Sequence, residues 1–142
     1  MKKYIQIFLP LILGFLVSLL TKNDMYSNII KPVLSPPAIV FPIMWTILYL
    51  IMGYTYYKVD KSKTINIFYY LQLFVNLIWT IIFFKFKLYT FAYIWLILLI
   101  TLVTTLLINY YKQNKKIAYA NIPYLLWLLF ALYLNISISI LN

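Results

Sequence analysis

Tryptophan, tyrosine, asparagine and glutamine recur at helical spacing in this 142-residue chain, inside stretches otherwise built of Ile, Leu, Phe and Val. Gln72, Asn76, Trp79 and Phe83 stand at intervals of four and three, which brings them within about 60° of one another on a helix. Tyr124, Trp127, Ala131, Asn135 and Ile138 keep the same rhythm. Phe41, Trp45, Leu48 and Met52 keep it again, with Thr46 and Gly53 on the adjoining strip. Such side chains combine a flat apolar body with a polar tip, the composition of a pocket for a planar, mostly apolar ligand with a few polar groups. The same stripes also serve helix packing in a membrane, where Asn hydrogen-bonds between helices and small residues allow close approach. Composition alone leaves both uses open.

Other chemistry has little to work with. There is no Cys for a thiolate, disulfide or Cys-ligated metal, and no His, the commonest general base and metal ligand. The only acidic residues are Asp24 and Asp60, each in a lysine-bearing polar stretch that reads as solvated loop. No catalytic residue and no metal site is therefore assigned, and no cofactor is required.

The elements that must carry the stripes follow from composition. Apolar residues make up 65% of the chain and charged ones 10%, against about 25% charged in a soluble domain. The fold class is an all-α membrane protein, a bundle of five transmembrane helices in one domain, spanning approximately 4–21, 39–57, 64–84, 88–111 and 117–141. Each run approaches the roughly 20 apolar residues that a membrane helix needs, and no Lys falls in its middle, where a charge costs about 2.5–3.5 kcal/mol. A β-barrel would instead show alternating segments of about ten residues. The first run follows Lys2 and Lys3 as a signal peptide would, but Val17–Lys22 has no small-x-small cleavage site, so it is kept as a helix.

Eight Lys lie on the amino-terminal side of such a bundle and four on the other, which predicts a cytoplasmic N-terminus and an outside C-terminus. The formal charge of +10 is then a topology signal with attraction to anionic lipid of the bilayer, not a nucleic-acid footprint. Lys in place of Arg, with abundant Ile, Asn and Tyr, suits an AT-rich bacterial genome and hence a bacterial cytoplasmic membrane. Residues 22–38 form the one long connection. Pro32, Pro36 and Pro37 make it unfit to span, and its length suits a lid over one mouth of the bundle.

Three segments carry a specific resemblance. PPAIVFPIMWTILYLIMG runs from Pro36 to Gly53, QLFVNLIWTIIFF from Gln72 to Phe84, and PYLLWLLFALYLN from Pro123 to Asn135. In this order they resemble the translocator proteins, also called tryptophan-rich sensory proteins or peripheral-type benzodiazepine receptors, over about Met25 to Asn142. The resemblance implies a five-helix bundle, commonly a homodimer, whose first loop lids an intramembrane pocket for porphyrins, sterols or benzodiazepine-type ligands. It maps the pocket onto Trp45, Tyr49, Asn76, Phe83, Trp127, Phe130 and Ala131, with Tyr26 in the lid loop. It implies a transport or sensing role, with light-dependent oxidative porphyrin degradation as the alternative and a purely structural or regulatory subunit as a third reading.

The chain also departs from the family pattern. Met25 precedes Tyr26 where family members often have Trp, and Ala38 and Ile39 replace the Gly-Trp of a PPGWVF segment. Two lid indoles are thus missing, which predicts slow photochemistry on a bound porphyrin. The sterol pattern at the end of the animal proteins is absent after Leu134, although Leu107, Tyr110 and Lys112 fit a looser version of it.

Overall fold

The computed structural model describes residues 2–21, 36 and 39–142, and among these every regular element is helical. Helix α1 covers Lys2–Thr21, α2 Val40–Lys58, α3 Lys63–Thr80, α4 Tyr89–Gln113, α5 Lys115–Ala120 and α6 Ile122–Leu141, and a π-helical turn at Ile81–Lys85 prolongs α3. Five segments are long and apolar enough to cross a membrane, α5 and α6 together supplying the fifth.

Local chemistry sets several of the boundaries. The Ser62 hydroxyl accepts from the Ile65 amide at 3.1 Å to open α3, and the Asn114 side chain accepts from the Lys116 amide at 2.9 Å to open α5. Such caps satisfy amides that have no partner within the helix. The expected continuous span over 117–141 is interrupted at Asn121, because Pro123 has no N–H to give to the preceding turn and so sits in the first turn of a new helix. The Asn121 side chain covers the break, its Nδ2 donating at 3.0 Å both to the Ile117 carbonyl and to Thr55 Oγ1 on α2.

At the other end of the bundle the π turn closes with a bond from the Phe86 amide to the Ile81 carbonyl at 3.1 Å. Lys87 then adopts φ 55°, a left-handed conformation that costs a non-glycine residue about 1–2 kcal/mol. Ile82 and Phe83 of the turn are buried.

Helix α1 lies along α2, and α4 runs between α3 and α6, burying Ala92, Leu96, Leu99 and Val103 completely. Outward-facing Phe15, Ile43, Phe74 and Ile94 remain exposed, as suits helices bathed in lipid, where apolar side chains need no cover. The α1–α2 contact depends on Gly53, since a Cβ there would stand 1.9 Å from the Ile7 carbonyl oxygen. Helices α2 and α6 meet differently. They are joined by aromatic rings rather than by close backbone approach, and that ring-filled gap positions the candidate site.

Candidate functional site

Trp45 on α2 is the hub of the gap. Its indole stacks on Tyr49 one turn below at 5.4 Å and 26°, and meets Trp127 of α6 edge-on at 6.3 Å and 88°. Tyr124 of α6 lies at 6.5 Å and Trp79 of α3 at 6.4 Å. Trp127 continues the cluster to Phe130 at 5.5 Å and to Phe41 at 5.9 Å. Trp79 stacks on Phe83 of the π turn at 5.2 Å and 25°. Edge-on and offset-stacked pairs of this kind contribute about 0.5–1.5 kcal/mol each beyond their buried area, so the cluster is a firm wall.

Beneath the rings runs a buried polar chain linking three helices. The Tyr49 hydroxyl donates to Asn76 Oδ1 at 2.6 Å, Asn76 Nδ2 donates to the Tyr124 hydroxyl at 2.8 Å, and that hydroxyl donates to Gln72 Oε1 at 2.8 Å. Gln72 Nε2 ends the chain on the Tyr69 carbonyl at 3.0 Å. A second link secures the far side, where Trp79 Nε1 donates to Asn135 Oδ1 at 3.0 Å and Asn135 Nδ2 donates to the Tyr89 carbonyl at 2.8 Å. In a low-dielectric interior such satisfied chains hold their members in fixed rotamers.

Three buried side-chain polar atoms have no hydrogen-bond partner among the described residues, the Tyr69 and Tyr110 hydroxyls and Trp127 Nε1, and the last of these lies in the ring cluster. A buried donor without an acceptor costs about 1–3 kcal/mol, which an acceptor arriving on a ligand would recover. The site therefore combines a flat apolar wall with an indole nitrogen that has no partner among the described residues.

The structure brings Trp45, Tyr49, Asn76, Trp127 and Phe130 into one cluster, and Phe83 joins it through Trp79. Ala131 is buried one turn beyond Trp127. Asn76 already pairs with two tyrosines, through its carbonyl and one of its N–H groups. Of the lid positions, Tyr26, Pro32 and Pro37 lie outside the described residues and Pro36 is half-buried. Gln72, Tyr124, Trp79 and Asn135 complete the network; their helical spacing marked them as inward-facing but did not show what they bond. Gly14 of α1 had no signal of its own. A Cβ on it would lie 2.3 Å from the Tyr49 ring, so its bareness makes room for that side chain.

The sequence model of a family described as TspO/MBR matches residues 6–141. The chain is 32% identical to the Tryptophan-rich protein TspO of Chlorobaculum tepidum over 124 aligned positions, covering 82% of this chain and 78% of that protein. It is 29% identical to the Tryptophan-rich protein TspO of Archaeoglobus fulgidus, covering 100% and 97%. It is 30% identical to the Tryptophan-rich sensory protein of Cereibacter sphaeroides, covering 88% and 81%.

Proposed function

The chain belongs to the TspO/MBR family, an integral multi-pass membrane protein of the sensory and translocator kind, and from that premise we propose that it binds a porphyrin or similar planar hydrophobic ligand between α2, α3 and α6. The observation that carries this reading is the buried Trp127 Nε1, without a partner among the described residues, on an indole that packs against Trp45, Phe41 and Phe130. A flat ring system sliding along that wall gains apolar burial, and a carbonyl or carboxylate on it accepts from the indole. The lipid bilayer surrounds the site, and the ligand enters from lipid or beneath the first loop. The reading includes a homodimer, as the family resemblance implies, and a cytoplasmic N-terminus in a bacterial cytoplasmic membrane, as the lysine asymmetry implies.

A titration of detergent-solubilised protein with protoporphyrin tests it. A saturable shift of the porphyrin absorption band with parallel quenching of indole fluorescence is expected. A signal that never saturates, and that a Trp45→Leu variant reproduces, is partition into the micelle and overturns the proposal.

Light-driven oxidative breakdown of the bound porphyrin is a second reading, favoured by one feature. Trp79 and Trp127 stand 6.4 and 6.3 Å from Trp45, close enough for an electron taken from one indole by the excited ligand to be replaced by another. Molecular oxygen is the terminal oxidant in this scheme. The reduced porphyrin passes its electron to oxygen as superoxide. The indole radical is refilled from the porphyrin, whose net loss of an electron begins its breakdown. Illumination of the saturated complex, in air and under argon, separates it from binding alone.

A further inference from the structure

The end of the bundle opposite the first loop gathers charge in a way that spanning alone does not require. Lys58, Lys61 and Lys63 belong to the α2–α3 connection, and Lys112, Lys115 and Lys116 to the α4–α5 connection; all six are exposed. A reciprocal pair of hydrogen bonds joins the two loops. The Asp60 amide donates to Gln113 Oε1 at 3.1 Å, and Gln113 Nε2 donates to the Asp60 carbonyl at 2.8 Å. Residues 53 positions apart are thereby fastened side by side, and the two connections together carry six lysines and a single acidic residue, Asp60.

The amines are also set at a particular depth. Lys58 Nζ rests 5.7 Å above the Tyr54 ring, and Lys115 Nζ rests 5.5 Å above the Tyr111 ring. Both rings are exposed on the lipid-facing flank of their helices, where tyrosines mark the boundary between acyl chains and headgroups. Because tyrosines favour that boundary, an ammonium held against such a ring is offered to lipid phosphates. Only Lys61 is turned back on the protein, donating to the Tyr57 and Val59 carbonyls at 3.3 and 3.4 Å while lying over Tyr56. Lys63, at the start of α3, has no acidic residue in its first turn to neutralise it.

We propose that the Asp60–Gln113 clamp fuses the two loops into one lysine platform that holds the phosphodiester headgroup of an anionic phospholipid, its acyl chains lying against Tyr54 and Tyr111. A paired loop presents amines from both connections to one headgroup, which two independently moving loops would have to order at each encounter. The tyrosine flank favours a lipid over a soluble anion, because it gives the acyl chain a surface continuous with the charge.

Native mass spectrometry of the full chain, released from detergent with an equimolar mixture of phosphatidylglycerol and phosphatidylcholine of identical acyl chains, tests the proposal. Retention of phosphatidylglycerol over phosphatidylcholine by about fivefold or more is expected, falling as ammonium acetate is raised. The triple variant Lys112→Gln, Lys115→Gln, Lys116→Gln should bring the two lipids near parity. Gln113→Ala, which keeps every charge, should fall between, and Lys85→Gln with Lys87→Gln at the opposite end should change nothing. Equal retention of both lipids by the unaltered protein overturns the site without recourse to any variant. Displacement of the lipid by inorganic phosphate overturns the lipid assignment, and a Gln113→Ala result equal to the unaltered protein overturns the clamp.

Discussion

Gly14 of α1 faces Tyr49 of α2 so closely that a Cβ on the glycine would lie 2.3 Å from the ring. That ring is fixed on its other sides by its stack on Trp45 and its hydrogen bond to Asn76, so a helix outside the site sets the position of a side chain within it. Gly14→Ala is expected to leave a folded bundle and weaken porphyrin binding several-fold. Gly53→Ala meets the Ile7 carbonyl, which cannot rotate away, and should cost more stability than the roughly 1–3 kcal/mol typical of overpacking. Thermal midpoints in detergent and porphyrin titrations of both variants check the order. A Gly53→Ala protein as stable as the Gly14→Ala protein contradicts it.

Trp127 and Trp95 should respond in opposite ways. Trp95 Nε1 donates to the Val75 carbonyl at 2.8 Å and so ties α4 to α3, whereas Trp127 Nε1 has no partner among the described residues. Trp95→Phe is expected to lower stability by about 1 kcal/mol and leave ligand affinity alone. Trp127→Phe removes an unsatisfied donor, so unliganded stability should hold or rise while porphyrin affinity drops about tenfold, the equivalent of roughly 1.4 kcal/mol. Equal losses of affinity in the two variants would mean that bundle integrity, and not a site, is being measured.

Asn76 is expected to act as the keystone of the polar chain. Asn76→Leu leaves the Tyr49 hydroxyl without its acceptor and the Tyr124 hydroxyl without its donor, and should cost about 2–4 kcal/mol. Adding Tyr49→Phe to that variant should recover part of the loss, since it removes the stranded hydroxyl, while Tyr124 stays to donate to Gln72 Oε1. Unfolding of the single and double variants by SDS titration reads this out. A double variant less stable than the single one speaks against the chain as drawn.

Topology follows from the lysine count. A reporter active only in the cytoplasm should work when fused before Lys2 or inserted near Ser62, and should fail after Asn142. A working C-terminal fusion reverses the orientation.

Photochemistry should be slow, because two lid indoles common in the family are Met25 and Ile39 here. Ile39 stands exposed at the start of α2, six residues before Trp45, and Met25 lies outside the described residues. Ile39→Trp and Met25→Trp are each expected to speed the loss of porphyrin absorbance under constant light, at equal occupancy, more than they tighten binding. Brisk breakdown by the unaltered protein, with no gain from either indole, would shift the weight to Trp45, Trp79 and Trp127.

The sequence by itself determined the five membrane segments and the inward face of each stripe. Both are sums over neighbouring residues: transfer into lipid adds along a run, and a helix turns every residue through a fixed angle, so local reading suffices. Tertiary structure decided what the inward polar groups do. Asn76 pairs with Tyr49 and Tyr124, 27 and 48 positions away, and Asn121 pairs with Thr55 across 66. An amide accepts any suitable partner, and only the packed arrangement of α2, α3 and α6 selects which one arrives. That selection occupied two of the hydrogen-bonding positions of Asn76, made Tyr124 and Gln72 its companions, and left Trp127 Nε1 buried with no partner among the described residues. The role of Gly14 was invisible for the same reason: the space a missing Cβ leaves has meaning only once another helix is laid against it.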